Sequence, residues 1–521
     1  MKMFQIFFVF LQTEMKYDTM KRLKWMILAG LCLYGTKAAA QDTITLDDRP
    51  KLVVGVVVDQ MRWDYLTRYY NEFTANGFRR LTDQGYSCNN TMINYLPTVT
   101  AVGHASIYTG TTPAFHGIAG NNFLTDGVRT SSVRDTTVTT VGSDVRRVGQ
   151  ASPRRLLATT IGDQLKLHTD FRAKVYSVSF KDRAAVLPGG HAADGAFWLD
   201  TRNIKFVTSS YYMDELPEWL NRYNEQLKAY EYLRTQGDTA IYSPMINKMV
   251  IELGKAVVRG ERLGHHDVPD MLTVSLSQTD FLGHKYGTRG WRIDNMYEML
   301  DEQLAGFLDF LDEEVGRGNY LLFLTADHGA AHNNLFLEEH RIPAGIWRLT
   351  DVQRQLESHL RSVFGDDLVL YIIEYRVYLD LKKMREKGLD PKRVKAEAAA
   401  FLARQPEVAY AFDFEQASEA GLPDVIRQKV MSGRNPERSG DVQVILNPGY
   451  YYFAPTSSEI GTTHAGWNPY DSHIPLLFYG WGVPHGSTSR PTYITDIAAT
   501  VCNMLHIQVP DACVGHAIEL K

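Results

Sequence analysis

Cysteine is scarce in this chain, four in 521 residues, and none falls in a C-x-x-C spacing. A thiolate metal cage is therefore excluded. An excess of positive charge is also lacking: 55 Lys and Arg stand against 60 Asp and Glu, for a formal charge of −5. No basic cluster reverses that balance, so neither nucleic acid nor an anionic membrane surface is an expected partner. Beyond the leader described below, no apolar run reaches the roughly 18 residues needed to span a bilayer. Internal repeats and low-complexity tracts are absent as well, which excludes solenoids and long disordered linkers.

What remains is an ordinary globular composition, 44% hydrophobic and 22% charged. The length suits one large domain with insertions, or two to three smaller ones. The first residues follow a secretory pattern. From Met20 the chain reads "MKRLKWMILAGLCLYGTKAAAQ", with Lys21, Arg22 and Lys24 ahead of a short apolar core from Trp25 to Gly35. Ala38, Ala39 and Ala40 then offer a small-residue cleavage site. A signal peptide is expected over residues 1–40, with the true start at Met15 or Met20. The mature chain is expected to be exported, periplasmic or secreted, with no stable membrane anchor after cleavage. Losing the leader removes Cys32 and leaves Cys88, Cys502 and Cys513, hence one internal disulfide at most, with Cys502 and Cys513 as a possible pair.

Five β-branched apolar runs read as buried strands: "KLVVGVVVD" (51–59), "KVYSVSF" (174–180), "DMLTVSLS" (270–277), "YLLFLTA" (320–326) and "HIPLLFYG" (473–480). Amphipathic helical patterns lie between them, the strongest over 296–315, and a closing helix is expected over 493–507. The alternation predicts an α/β fold with a mostly parallel central sheet flanked by helices. Two stretches, about 190–265 and 335–460, interrupt the rhythm and are expected to be insertions forming a cap or flank.

In open parallel sheets ligands gather at the carboxyl ends of strands. Four strands carry ionisable groups there: Asp59 after the first, Lys181-Asp182-Arg183 after the second, Asp280 and His284 after the third, Asp327-His328 after the fourth. Asp280 and His284, spaced i and i+4, share one face of a helix. Asp327 and His328 stand at a strand end leading into Gly329, where the chain can turn both toward one centre. Three Asp with two His favour zinc or a similar borderline cation over calcium, and leave manganese open. A further histidine is needed for two sites. "GTTHAGWNPYDSHIP" offers His464, in a Gly-rich loop, or His473, which opens the last strand; His464 is favoured. Lys181 and Arg183 alternate along a segment read as extended, so both can project to one side. His104 and His116 read as hydrogen-bonded core histidines.

The stretch "LPTVTAVGHASIYTG" holds several hydroxyls, and taken alone does not single one out as a nucleophile. Together with "VVVDQMRWDYL", "PTVTAVGHASIYTGTTPAFHGIAGNN", "SQTDFLGHKYG", "TADHG" and "GTTHAG", it makes the chain resemble the alkaline phosphatase superfamily. The likeness is greatest to the branch of nucleotide pyrophosphatase/phosphodiesterases and phosphate-irrepressible alkaline phosphatases. The resemblance implies an alkaline-phosphatase-like fold and two Zn2+ per chain. It places Asp59, Thr100, Asp327 and His328 around one zinc, and Asp280, His284 and His464 around the other. Thr100 is implied as the nucleophile, forming a phosphothreonine intermediate, with Asn121 holding a phosphoryl oxygen. A Lys-x-Arg pair at this place is shared with the phosphate-irrepressible alkaline phosphatases, so Lys181 and Arg183 are implied to clamp a phosphate monoester. The alternatives are a nucleotide pyrophosphatase/phosphodiesterase and, from another class, an inactive secreted binding module.

Overall fold

The computed structural model describes residues 49–125, 127–230, 232, 242–453 and 460–521. The expected signal peptide, with Met15, Met20 and Cys32, lies outside the described residues. Cys88, Cys502 and Cys513 are all free thiols.

The strand Leu52–Val58 is buried along its whole length. That is why it reads as an unbroken apolar run rather than an alternation: both faces of a parallel sheet are covered. It lies within a ten-stranded sheet, paired in parallel with Asp270–Leu276 on one side and Tyr320–Thr325 on the other. Val175–Ser179 and Gly195–Asp200 continue the parallel set. Antiparallel strands close both flanks. Lys205–Ser209 and Thr140–Val141 follow Gly195–Asp200, and Leu476–Gly480 and Tyr86–Cys88 follow Tyr320–Thr325. The fold is thus α/β, with a mostly parallel sheet between helical layers.

Register decides where the chemistry sits. Val58 lies opposite Leu276, Val57 opposite Thr325, and Ser275 opposite Ser179. Four strands therefore end at one level, and the residues that follow them open onto one edge. The expected 296–315 helix spans Trp291–Leu311, burying Ile293, Met296, Tyr297, Leu300, Leu304, Phe307, Leu308 and Leu311 on its inner face, the three-to-four spacing of an amphipathic helix.

Two expectations change. The run 473–480 is not one strand. His473–Ile474 joins a small sheet with Thr91–Met92 and Thr492–Tyr493, and only Leu476–Gly480 enters the main one. Pro475 between them has no N–H to give a ladder. The tract 190–265 is also woven into the sheet, through Gly195–Asp200 and Lys205–Ser209, and into its helical layer. Met245–Glu261 packs on Asp270–Leu276 and on Trp291–Leu311. The tract 335–460 contains a four-stranded antiparallel sheet ordered Val369–Ile373, Arg376–Leu379, Val442–Leu446, Val408–Asp413. Helices Leu349–Phe364 and Pro391–Ala403 pack on it. Among the described residues, no helix is long and apolar enough to cross a membrane.

Candidate active site

Three carboxylates meet at the edge where the parallel strands end. Asp59 and Asp327 are fully buried and Asp280 is 4% exposed. One ammonium stands among them. Lys181 Nζ donates to Asp59 Oδ2 at 2.6 Å and to Asp280 Oδ2 at 2.6 Å, and lies 3.4 Å from Thr100 Oγ1. Three buried negative charges against one positive are costly unless further cations compensate.

The imidazoles around them are set up as ligands. His284 Nδ1 lies 2.9 Å from the Thr462 carbonyl, His328 Nδ1 3.0 Å from that of Gly329, and His464 Nδ1 2.7 Å from that of Thr98. A carbonyl only accepts, so each Nδ1 carries a proton, and in the neutral ring the lone pair is on Nε2. Those lone pairs face the carboxylates: His284 Nε2 is 3.1 Å and His464 Nε2 3.5 Å from Asp280 Oδ1, while His328 Nε2 is 3.4 Å from Asp59 Oδ1. Burial lowers the pKa of His328 to about 3 and lowers that of His464, which keeps both rings neutral. Burial and the neighbouring Asp327 push Asp59 well above the usual carboxylate range. Asp280 is held well below that range by His284 and Lys181, although its burial acts the other way.

Metal ions fit this donor set. Asp59 Oδ1, Asp327 Oδ2 and His328 Nε2 are buried and have no hydrogen-bond partner. Asp59, Asp327 and His328 offer ligand atoms within 4.8 Å of one another, and so do Asp280, His328 and His464. Mixed nitrogen and oxygen donors suit zinc. His473 lies elsewhere, stacked on Trp63 and bonded to the Asn89 carbonyl.

Thr100 opens the helix Thr100–Thr109 and is 1% exposed. The Ala101 N–H in that first turn donates to Asn121 Oδ1 at 2.9 Å. With its oxygen so engaged, the Asn121 amide keeps its NH2 for another acceptor. The helix start also favours an anion. Gly103 lets this helix reach the carboxylates: a Cβ there would lie 2.3 Å from the Asp327 carbonyl oxygen and 2.6 Å from Asp327 Cβ. Gly103→Ala must therefore push Thr100 and Asp327 apart. We expect kcat/KM to fall by about a hundredfold, the cost of a displacement near 1 Å at a reacting centre, with a lowered Tm in the same preparation.

Lys181 and Arg183 do not share an extended face. The strand stops at Ser179 and a helix starts at Asp182, with Lys181 as its N-cap. Lys181 points inward among the carboxylates. Arg183 sits in the first helical turn, its Nε buried without a partner and its Nη1 3.9 Å from Asp182.

One supporting group escaped the sequence reading. Gln60, next to Asp59, donates from its backbone to Asp327 Oδ1 (3.1 Å) and from its side chain to Asp280 Oδ1 (2.7 Å). Its adjacency to a strand-end Asp was the available signal. His104 Nδ1 lies 2.8 Å from the Thr100 carbonyl and 3.3 Å from Asp327 Oδ2, and its Nε2 is 2.6 Å from Ser275 Oγ. It is a buried, hydrogen-bonded histidine beside Asp327. His116 bonds Ser106 and the Ile118 N–H and stays apart from the carboxylates.

Residues 53–471 match the family model for type I phosphodiesterase / nucleotide pyrophosphatase. The chain belongs to that family. It is 40% identical to alkaline phosphatase PafA of Elizabethkingia meningoseptica, over 95% of this chain and 98% of that one. A Myroides odoratus protein named calcium-transporting ATPase is 38% identical, with the same coverage. Alkaline phosphatase PhoV of Synechococcus elongatus is 41% identical over 90% of this chain and 92% of that one. A crystal structure of wild-type alkaline phosphatase PafA superposes with a TM-score of 0.86 at 40% identity, covering 90% of this chain and 98% of that chain.

Proposed function

We propose that this chain is an exported alkaline phosphatase, a phosphate monoester hydrolase that works with two zinc ions and a phosphothreonine on Thr100. The observation that carries the reading is Thr100 itself. Its hydroxyl is buried at a helix start, 3.4 Å from an ammonium, beside three carboxylates and three imidazoles whose lone pairs converge. Bound zinc would supply the positive charge that favours a threonine alkoxide and neutralises phosphoryl oxygens, with Asp59, Asp327, His328, Asp280, His284 and His464 to hold it.

The chain's own groups then account for the rest. Thr100 Oγ1 gives its proton to solvent and bonds to phosphorus as the bond to the ester oxygen breaks, and the alcohol leaves with a proton from solvent. Water next attacks the same phosphorus, releasing phosphate and restoring the hydroxyl. Asn121 offers an N–H and Arg183 a planar fork to the equatorial oxygens, while Lys181 supplies a point charge. Their task is positioning and charge neutralisation. A monoester dianion has three non-bridging oxygens for these donors; a diester has two. Names among the relatives point the same way, and the secretory pattern of residues 21–40 supports export.

Hydrolysis of p-nitrophenyl phosphate against bis-p-nitrophenyl phosphate tests the reading. We expect a higher kcat/KM on the monoester. A preference for the diester would make the chain a phosphodiesterase, and zinc retention without hydrolysis of either would make it a binding protein. Lys181→Ala and Arg183→Ala each lower monoester kcat/KM by roughly 10–100-fold, the worth of one charge-assisted bond, and affect the diester far less. Equal losses on both esters would mean the pair does not read substrate charge.

A further inference from the structure

The loop that carries Asn121 is gripped from outside the central sheet. The four-stranded sheet of residues 369–446 sends one hairpin turn, Glu374-Tyr375, toward the segment Ala119–Asn121. Ile373 and Arg376 close that turn as its last pair. Both turn residues have positive φ, 49° and 66°. A two-residue hairpin demands that conformation, and Asn-Gly or Asp-Gly usually meets it. Here Glu and Tyr carry it, and such strain persists only where the surroundings fix it.

The surroundings are specific. Arg376, buried at 1% exposure, donates from Nη1 to the Ala119 carbonyl at 2.6 Å and from Nη2 to the carbonyls of Leu96 and Gly433, both at 2.9 Å. Glu374 Oε1 accepts the Asn121 N–H at 3.0 Å. The turn thus holds Ala119–Asn121 at both ends. Gly120 between them leaves room for that carboxylate, since a Cβ there would lie 2.2 Å from Glu374 Oε2. Asn121 in turn reaches the first turn of the Thr100 helix through its own Oδ1.

We propose that Glu374 is a positioning residue for phosphate recognition, fixing Asn121 through its backbone N–H so that the Asn121 amide faces the phosphoryl group. The inference rests on the monoesterase reading. Burial raises the Glu374 carboxyl to about 7, with Arg376, the Asn121 N–H and Arg183 acting in the opposite sense. At alkaline pH it is therefore the ionised acceptor that the Asn121 N–H meets.

The test is a set of variants assayed on p-nitrophenyl phosphate and bis-p-nitrophenyl phosphate, with inorganic phosphate as competitive inhibitor. Glu374→Ala should lower monoester kcat/KM and weaken phosphate inhibition, each by about 10–100-fold, as loss of a buried charged acceptor implies. The diester should lose less than about threefold, because a positioning effect is confined to the oxygen Asn121 contacts. Glu374→Asp, one methylene shorter, should behave like the alanine variant, and Glu374→Gln, which keeps an acceptor in reach, should stay close to wild type. In an Asn121→Ala background, Glu374→Ala should cost no more than about a further twofold. Full additivity with Asn121→Ala overturns the proposal. So do equal losses on both esters, or a Gln variant as impaired as Ala. If Glu374→Ala fails to fold, the Asp and Gln variants decide by the same criteria. A wild-type protein without monoesterase activity would defeat the monoesterase reading itself, whereas an active wild type matched by Glu374→Ala would defeat only this inference.

Discussion

Thr100→Ala lowers kcat on p-nitrophenyl phosphate by about four orders of magnitude or more, because it removes the protein atom that bonds to phosphorus in the mechanism. The measurement has two parts. Steady-state turnover gives the loss. Acid quenching during turnover, followed by peptide mass spectrometry, gives its cause: the wild type carries one phosphoryl group on the peptide containing Thr100, and the variant carries none. Thr100→Ser keeps the hydroxyl and is expected within about tenfold of wild type, since the nucleophile remains at the helix start. The side chain is almost fully buried and alanine lacks only the hydroxyl and one methyl, so the fold should survive, with Tm near wild type. Near-normal turnover in Thr100→Ala would remove Thr100 from the mechanism and transfer the attack to water.

Removing bound metal has the second large effect. Chelation should lower activity by more than about a thousandfold, the several kcal/mol of charge stabilisation a metal ion supplies. Stability should fall with it. Three buried carboxylates share one ammonium, so cations bound only by the folded state stabilise it by about 4 kcal/mol at a thousandfold excess over Kd. The expected observation is a Tm that drops on chelation and returns, with activity, on adding Zn2+. His328→Ala should lower the measured zinc content most severely, because His328 belongs to both ligand groups. Full activity with no detectable metal would refute the centre. A Tm indifferent to chelation would show that Lys181 and the hydrogen bonds from Gln60 compensate the carboxylates unaided.

Local pattern carried much of the fold. The runs at 51–59, 174–180, 270–277 and 320–326 were readable because a strand covered on both faces is apolar at every position, and such a run is visible without knowing its neighbours. Asp280 and His284 could be paired for a similar reason: one helical turn brings i and i+4 together, and the structure has them 3.1 Å apart. Asp327 and His328 could be placed because parallel strands gather their following residues at one edge. The helical reading of 296–315 rested on the same kind of periodicity. Elsewhere local pattern misled. Lys181 and Arg183 alternate as they would in a strand, yet a helix begins at Asp182 with Lys181 as its N-cap, so the two share no extended face. The run 473–480 reads as one strand until Pro475 divides it between two sheets.

By itself, then, the sequence determined the buried runs, the helical faces and the set of ionisable residues at the strand ends, since each is a periodicity within a few residues. Only the tertiary structure decided what those residues do to one another. The tautomers of His284 and His464 are set by carbonyls 178 and 366 positions away in the chain, and Asn121 is held by a carboxylate 253 positions on. Every residue has a backbone carbonyl and nearly every one an N–H, so a side chain that bonds such a group leaves no mark on its distant partner's identity. Which carbonyl or N–H it meets is fixed only when the sheets and loops pack together.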